Sequence, residues 1–281
     1  MKTAGDDLGA IPREEEAILI VAPLDRELRA LRAALAAPRA GRPLPGGGPR
    51  LVRGRLAGVP VAVAATGDGP RAAARGLSAL LAALRPAPPA IFVLGVAGGL
   101  SPGLAAGDLL AAERVLDGDG DAPPPDAAWL ARALATGRAQ RGTAVSADRI
   151  LVGRREKEKL VRSLGTVSAA IVDLESAAYG RAAAAAGIPY LVLRAVLDRA
   201  DEDLPLDFNR CRTAAGGVSD ARVVGRALLR PRVLPALLDL DRRLALGSRR
   251  LAELAAEILA RRKDEMAGED SPRREMAAAA H

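Results

Sequence analysis

SAAIVDLESAAYGRAAAAAGIPYLVLRAVLDRAD, residues 168–201, decides how the rest of this chain is read. An apolar run, Ala169 to Val172, ends at two carboxylates, Asp173 and Glu175, just as an Ala-rich helical segment begins. The helix stops at Gly187, Pro189 restarts the chain, and a second apolar run, Tyr190 to Val196, ends at Asp198 with Arg194 inside it. Strands connected in this way point in the same direction in an open parallel sheet, and ligands collect beyond their carboxyl ends. The stretch therefore predicts two neighbouring strands that aim Glu175 and Asp198 into one pocket.

Composition narrows the chemistry that such a pocket can perform. With 281 residues the chain can bury a substantial core as one large domain with appendages. Aromatic residues make up only 2%, so an aromatic-lined nucleic-acid site is not expected. The one histidine is the terminal His281 and the one cysteine is Cys211. These counts exclude a histidine-based triad, a histidine general base and ordinary zinc ligand sets. Carboxylates, Arg, Lys, Ser/Thr and backbone amides remain. The lone cysteine also excludes an intrachain disulfide and fits a reducing compartment. The start carries no apolar core with a cleavage pattern, and no uncharged run reaches membrane-spanning length, so a cytoplasmic protein, soluble or peripheral to the inner face of the membrane, is expected. The net charge of +7 is concentrated late, where eight arginines face Asp239 and Asp241 between Arg222 and Arg250.

Along the chain, residues 1–16 are polar and acidic and read as a flexible arm. ILIVA, residues 18–22, is a buried-type strand leading to Pro23, Arg26, Glu27 and a helical pattern at Leu28, Leu31 and Leu35. Residues 38–50 read as a loop, and residues 51–56 and 59–65 as a hairpin turning at Ala57-Gly58. Thr66-Gly67-Asp68-Gly69-Pro70 precedes a helix to about Leu84, a geometry that lets amides approach an anion or a sugar hydroxyl. The strand Ala90 to Val96 enters a glycine block, residues 95–99, that suggests close approach by a backbone or ligand. Further strands are read at Leu109 to Leu116 and Gly142 to Ser146, and helices at Ala127 to Thr136 and Arg154 to Ser163, the latter as a charged helix. The aspartates of the loop 117–126 do not match a calcium loop, and no metal site is expected. Strands alternate with helices, which gives an α/β fold with a largely parallel or mixed sheet. The reading places a catalytic domain at 17–220, a basic apolar helical extension at 221–262 broken at Pro231, Pro235 and Gly247, and a disordered tail at 263–281.

Three blocks carry a family resemblance: IVAPLDRELRAL at the start, VLGVAGGLSPGLAAGDLL in the middle, and VDLESAAYGRAAAAAGIPYLVLRAVLDRAD. The chain resembles the nucleoside phosphorylase and nucleosidase family, which contains purine nucleoside phosphorylases, methylthioadenosine/S-adenosylhomocysteine nucleosidases and futalosine hydrolases. The resemblance implies a three-layer α/β/α fold with a central mixed, largely parallel sheet, a homo-oligomer, a small-molecule nucleoside substrate and no cofactor. The 23-residue step from Glu175 to Asp198, with Arg194 four before Asp198, agrees with the nucleosidase pattern. By resemblance Asp198 donates a proton to the purine N7, Glu175 accepts hydrogen bonds from the ribose, and Glu27 activates the attacking water. Glu27 also fits a solvated first-turn acid favoured by the helix dipole. Arg194, inside an apolar strand, needs an anion such as Glu27 or Glu175.

Three positions depart from the pattern. Asp173 stands where the family often has Glu, Val96 where many members have Ser or Thr, and Ile150 where an aromatic often covers the base. Leu174 and Gly98 complete the expected substrate contacts. A phosphate or water site would draw on Gly67, Gly69, Arg26 and Arg71, with inorganic phosphate as co-substrate in a phosphorylase. VDLES, LDRADEDLP and the late run GGVSDARVVGRALLRPRVLPALLDL resemble the hopanoid-associated phosphorylases, which remove adenine from adenosylhopane. That resemblance implies phosphorolysis of an adenine nucleoside. A hydrolase of the methylthioadenosine or futalosine type is the alternative, and a non-catalytic nucleoside- or membrane-binding module the other. The leucines and arginines of 222–250 suit an anionic membrane surface or an apolar tunnel, and equally a packing helix or a subunit contact.

Overall fold

The computed structural model describes residues 16–118, 120–165, 169–213 and 217–278, with backbone alone for 268–278. Apart from Glu16, the arm expected at 1–16 lies outside the described residues. The strands are β1 (Ile18–Ala22), β2 (Ala36–Pro43), β3 (Arg50–Leu56), β4 (Val59–Ala65), β5 (Ile91–Gly99), β6 (Leu109–Asp117), β7 (Gly120–Asp121), β8 (Ala139–Ser146), β9 (Ala170–Asp173) and β10 (Tyr190–Asp198). The helices are α1 (Arg29–Ala33), α2 (Pro70–Ala83), α3 (Ala127–Ala135), α4 (Arg154–Ser163), α5 (Ser176–Ala185), α6 (Asp220–Leu229) and α7 (Leu234–Ala278).

Strands β4, β1, β5 and β10 lie side by side and parallel. Their near-continuous apolar runs follow from burial on both faces. Alternate side chains build two cores. Ile18, Ile20, Phe92 and Leu193 point to the side of α3 and α7, where Trp129, Leu254 and Ile258 meet them. Leu19, Val21, Val93 and Val192 point to the side of α2 and α5, against Leu77, Leu80 and Tyr179. Helices on both faces of one mixed sheet make the three-layer α/β/α architecture that the alternation of elements predicts.

Beyond β10 the sheet folds back on itself. β6 runs antiparallel to β10, β8 and β9 follow in parallel, and β9 pairs antiparallel with the end of β5. This corrects the expectation that the strands ending at Asp173 and Asp198 are neighbours in a parallel sheet, because β5 lies between them. Their ends meet through register: Asp198 pairs with Gly98, and Gly98 pairs with Val172. Gly98 has no side chain to hold them apart, since a Cβ there would sit 3.2 Å from Val172 and 3.4 Å from Asp198 Oδ2.

The hairpin of β3 and β4 turns at Ala57 and Gly58, both at positive φ (51° and 77°), the geometry of a tight two-residue connection. Residues 36–43, expected in part as loop, form the edge strand β2. Its side chains are almost all exposed and its register to β3 is broken twice, so it shows no alternation to read. The late helices also differ from expectation. The chain breaks at Pro231, in a short 3-10 turn, but α7 then runs unbroken past Gly247 to Ala278, through most of the segment expected as a disordered tail. Pro235 falls in the first turn of α7, where a missing N–H costs nothing. Gly247 is a packing contact: a Cβ there would lie 2.9 Å from that of Ala195 in β10. Among the described residues no helix is long and apolar enough to cross a membrane.

Candidate active site

A cavity of about 350 Å³ opens where β1, β5, β9 and β10 end, within the range of small-molecule sites. Glu27, Glu175 and Asp198 all line it, with Arg26, Val96, Gly98, Ile150, Asp173 and Leu174. The expected convergence of acids is therefore present. Asp68, Asp220 and Asp241 join them on the wall, against the cations Arg26 and Arg149.

Glu27 sits in the turn after β1 and is only 4% exposed, so it is not the solvated helix acid of the alternative reading. Its Oε1 accepts the Val96 N–H at 2.9 Å and its Oε2 the Leu24 N–H at 2.9 Å. Burial raises its pKa above the usual carboxylate range, against these amides and the charge of Arg194. Its backbone carbonyl accepts the Ser248 hydroxyl at 2.6 Å, which ties α7 to the site. Val96 thus contributes through its amide where the family's hydroxyl is missing.

Glu175 begins α5 and accepts the Gly69 N–H at 2.8 Å. Burial, then the neighbouring Asp173, pushes its pKa well above the usual range. Asp173 pairs with Arg194 at 2.8 Å and also accepts the Ser146 and Ser176 hydroxyls. Arg194 was expected to pair with Glu27 or Glu175; its partner is Asp173, with Ser176 at 3.0 Å. Arg194 is fully buried and lies behind the cavity wall over Gly95, where a Cβ would come within 2.2 Å of Nη1. It supports the acids through its charge and not by lining the cavity.

The proposed phosphate set is not brought together. The Gly67 N–H donates to Pro23 O at 3.0 Å, the Gly69 N–H to Glu175, and Arg71 is exposed and off the wall. Arg26 lines the cavity but is half-exposed, facing Asp220 at 3.9 Å. A wall so rich in acids opposes a multiply charged anion.

Three neighbours of the cavity, Phe208, Asn209 and Lys157, escape sequence reasoning. Phe208, from a 3-10 turn, lines the cavity together with Ile150. Asn209 holds that turn by accepting the Ile150 N–H (2.9 Å) and donating to its carbonyl (2.8 Å). Lys157 of α4 is 1% exposed and forms a buried ion pair with Asp198. Helices α6 and α7 close the far side with Val223, Leu237, Leu240 and Leu244, so the late segment is part of the cavity wall.

Fold and cavity together define an α/β protein that gathers Glu27, Glu175 and Asp198 at one end of its sheet. The chain belongs to the phosphorylase superfamily, whose family model matches residues 17–223. A 5'-methylthioadenosine/S-adenosylhomocysteine nucleosidase of Mycobacterium tuberculosis is 32% identical over 196 residues, covering 54% of this chain and 75% of that protein. One of Shewanella halifaxensis is 28% identical over 199 residues, covering 63% and 85%. Among solved structures, the S. pneumoniae nucleosidase with the transition-state inhibitor MT-ImmA superposes with a TM-score of 0.67 at 20% identity, covering 87% of this chain and 98% of its own. A futalosine hydrolase mutant of Helicobacter pylori does so with 0.67 at 17%, covering 87% and 98%.

Proposed function

We propose that the protein hydrolyses the N-glycosidic bond of an adenine nucleoside. The observation that carries this is the convergence of Glu27, Glu175 and Asp198, all buried, on one cavity. Cleaving a purine N-glycosidic bond builds positive charge on the ribose and negative charge on the leaving base. Asp198 donates a proton to N7, so adenine leaves neutral. Glu175 accepts hydrogen bonds from the ribose hydroxyls, and its carboxylate favours the oxocarbenium ion. Glu27 takes a proton from the water whose oxygen bonds to the anomeric carbon. A raised pKa suits that role, because it makes the carboxylate a stronger base than a solvated one. Acids gathered around one buried guanidinium complement a cation, and the cation exists only in the transition state.

Hydrolysis is favoured over phosphorolysis by the acidic wall and the committed glycine amides. The names of the relatives, as nucleosidases, support the same choice. The test is adenine release from methylthioadenosine, S-adenosylhomocysteine and a nucleoside with a bulky apolar 5' substituent, with and without phosphate. Release that proceeds without phosphate is expected, and a strict phosphate requirement would overturn the reading.

The 5' substituent is the finer question. The apolar side of the cavity reaches Leu204, Phe208, Val223, Leu237 and Leu244. Beside it, Val224, Leu228, Leu229 and Leu238 are 56–84% exposed, interleaved with exposed Arg222, Arg226, Arg230 and Arg232. This supports an apolar 5' group, adenosylhopane being the substrate named by resemblance, and contact with an anionic membrane surface. A homo-oligomer burying the same ridge is the competing arrangement, which sedimentation in the absence of lipid distinguishes.

A further inference from the structure

Asp198 does not stand alone. The Lys157 ammonium donates to Asp198 Oδ2, to the Arg199 carbonyl at 2.6 Å and to the Glu202 carbonyl at 3.0 Å, so all three of its protons are placed. Both side chains are buried, Lys157 at 1% and Asp198 at 6%. A lysine kept this dry needs a partner anion, and it is held on α4 by its own helix: Leu160, Val161 and Leu164 share its face and pack on Val145, Ala170 and Val172. The same ammonium closes the turn after β10, which fixes where the carboxyl group begins.

We propose that Lys157 is the positioning residue that sets the orientation and proton affinity of Asp198, opposing burial with a fixed charge so that the carboxyl can release its proton during the reaction. This rests on the hydrolase reading above. Burial alone favours the neutral carboxyl and makes it a reluctant acid; a cation in contact favours the carboxylate. A general acid works best when the two tendencies leave it near the working pH. Burial holds the Asp198 carboxyl above the usual carboxylate range, opposed by the charge and hydrogen bond of Lys157. The other charged groups facing Asp198 are the Glu202 side chain, which raises it, and Arg243 of α7, which lowers it. Arg243 binds Glu202 at 2.8 Å, so these two largely offset one another. On the cavity side stand Asp173, Glu175 and Asp241, all of one sign, and β5 offers only Gly98. Lys157 is thus the cation in direct contact with the carboxyl among the described residues.

The test separates charge from hydrogen bonding. Adenine affinity is measured by calorimetry across neutral pH for the intact protein and for Lys157→Arg, Lys157→Gln and Lys157→Met, together with the pH profile of adenine release. Protonated Asp198 donates to adenine N7, so affinity falls where the carboxyl loses its proton. Lys157→Arg keeps the charge and is expected to keep that limb in place. Lys157→Gln keeps amide donors without charge and Lys157→Met has neither; in both the limb moves to higher pH, with a loss in kcat on the order of tenfold or more. A limb that coincides in all variants, or moves in Met but not in Gln, overturns the proposal, because hydrogen bonding and not charge would then be what Lys157 supplies. Should the guanidinium not fit and Lys157→Arg unfold, the comparison of Gln with Met still decides. Asp198→Asn distinguishes the two levels of argument. A limb that survives in Asp198→Asn defeats the assignment of Asp198 itself, whereas a limb lost there but unmoved by Lys157→Gln defeats only the role of Lys157.

Discussion

Replacing Asp173 by Asn tests the buried scaffold on which the site rests. The substitution keeps the shape of the side chain and leaves Arg194, fully buried, without its anion. Asp173 is 2% exposed at its side chain, so solvent screens little of the loss. Removing one partner of such a pair costs about 3–5 kcal/mol, because the remaining charge stays buried. For a domain of this size, about 2–4 °C of melting temperature is lost per kcal/mol, which gives a fall of about 6–20 °C. The Ser146 and Ser176 contacts can be remade by an amide and do not add to that figure. Thermal and urea unfolding measure the loss directly. Asp173→Asn combined with Arg194→Met is expected to recover part of it, since neither charge then lacks a partner. A loss below about 1 kcal/mol in Asp173→Asn would refute the view that this pair anchors the site.

Glu175→Gln should stabilise the protein at pH 8. The folded-state pKa of Glu175 lies well above the unfolded value, by burial and then Asp173, so its favourable contribution is present in acid and is lost as pH rises through the folded pKa. The glutamine is neutral throughout and still accepts from Gly69; its melting-temperature advantage should shrink towards pH 5, and an advantage independent of pH would contradict the sign. Glu27→Gln should lower kcat for adenine release by about 10²–10⁴-fold with little change in adenine affinity, and a mild effect in phosphate-free buffer would remove Glu27 as the base. Leu228→Ser with Leu229→Ser, at positions 72% and 84% exposed, should weaken flotation with anionic vesicles while sparing hydrolysis of methylthioadenosine. Equal flotation of both proteins would exclude the ridge as a membrane contact.

The sequence by itself determined the alternation of apolar strands and helices, and with it the layers and the acids at strand ends. It did so because burial on both faces demands continuous apolar runs, and because a chain without an internal histidine leaves catalysis to carboxylates. Glu175 and Asp198 were legible as acids at the ends of such runs, whereas the choice of Glu27 and the role of each acid rested on the family resemblance. Lys157 was passed over, although the sequence carries a signal for it: it stands three, four and seven residues before Leu160, Val161 and Leu164, and a charge on that apolar stripe marks a buried partner. Which partner it has could not be read, because 41 residues separate it from Asp198. The tertiary structure alone decided that β5 separates β9 from β10, that Arg194 answers Asp173, and that the glycine amides are already engaged. These are long-range pairings, fixed by which surfaces pack and not by local propensity, and the same holds for α7, whose Gly247 reads as a helix break until β10 is found against it.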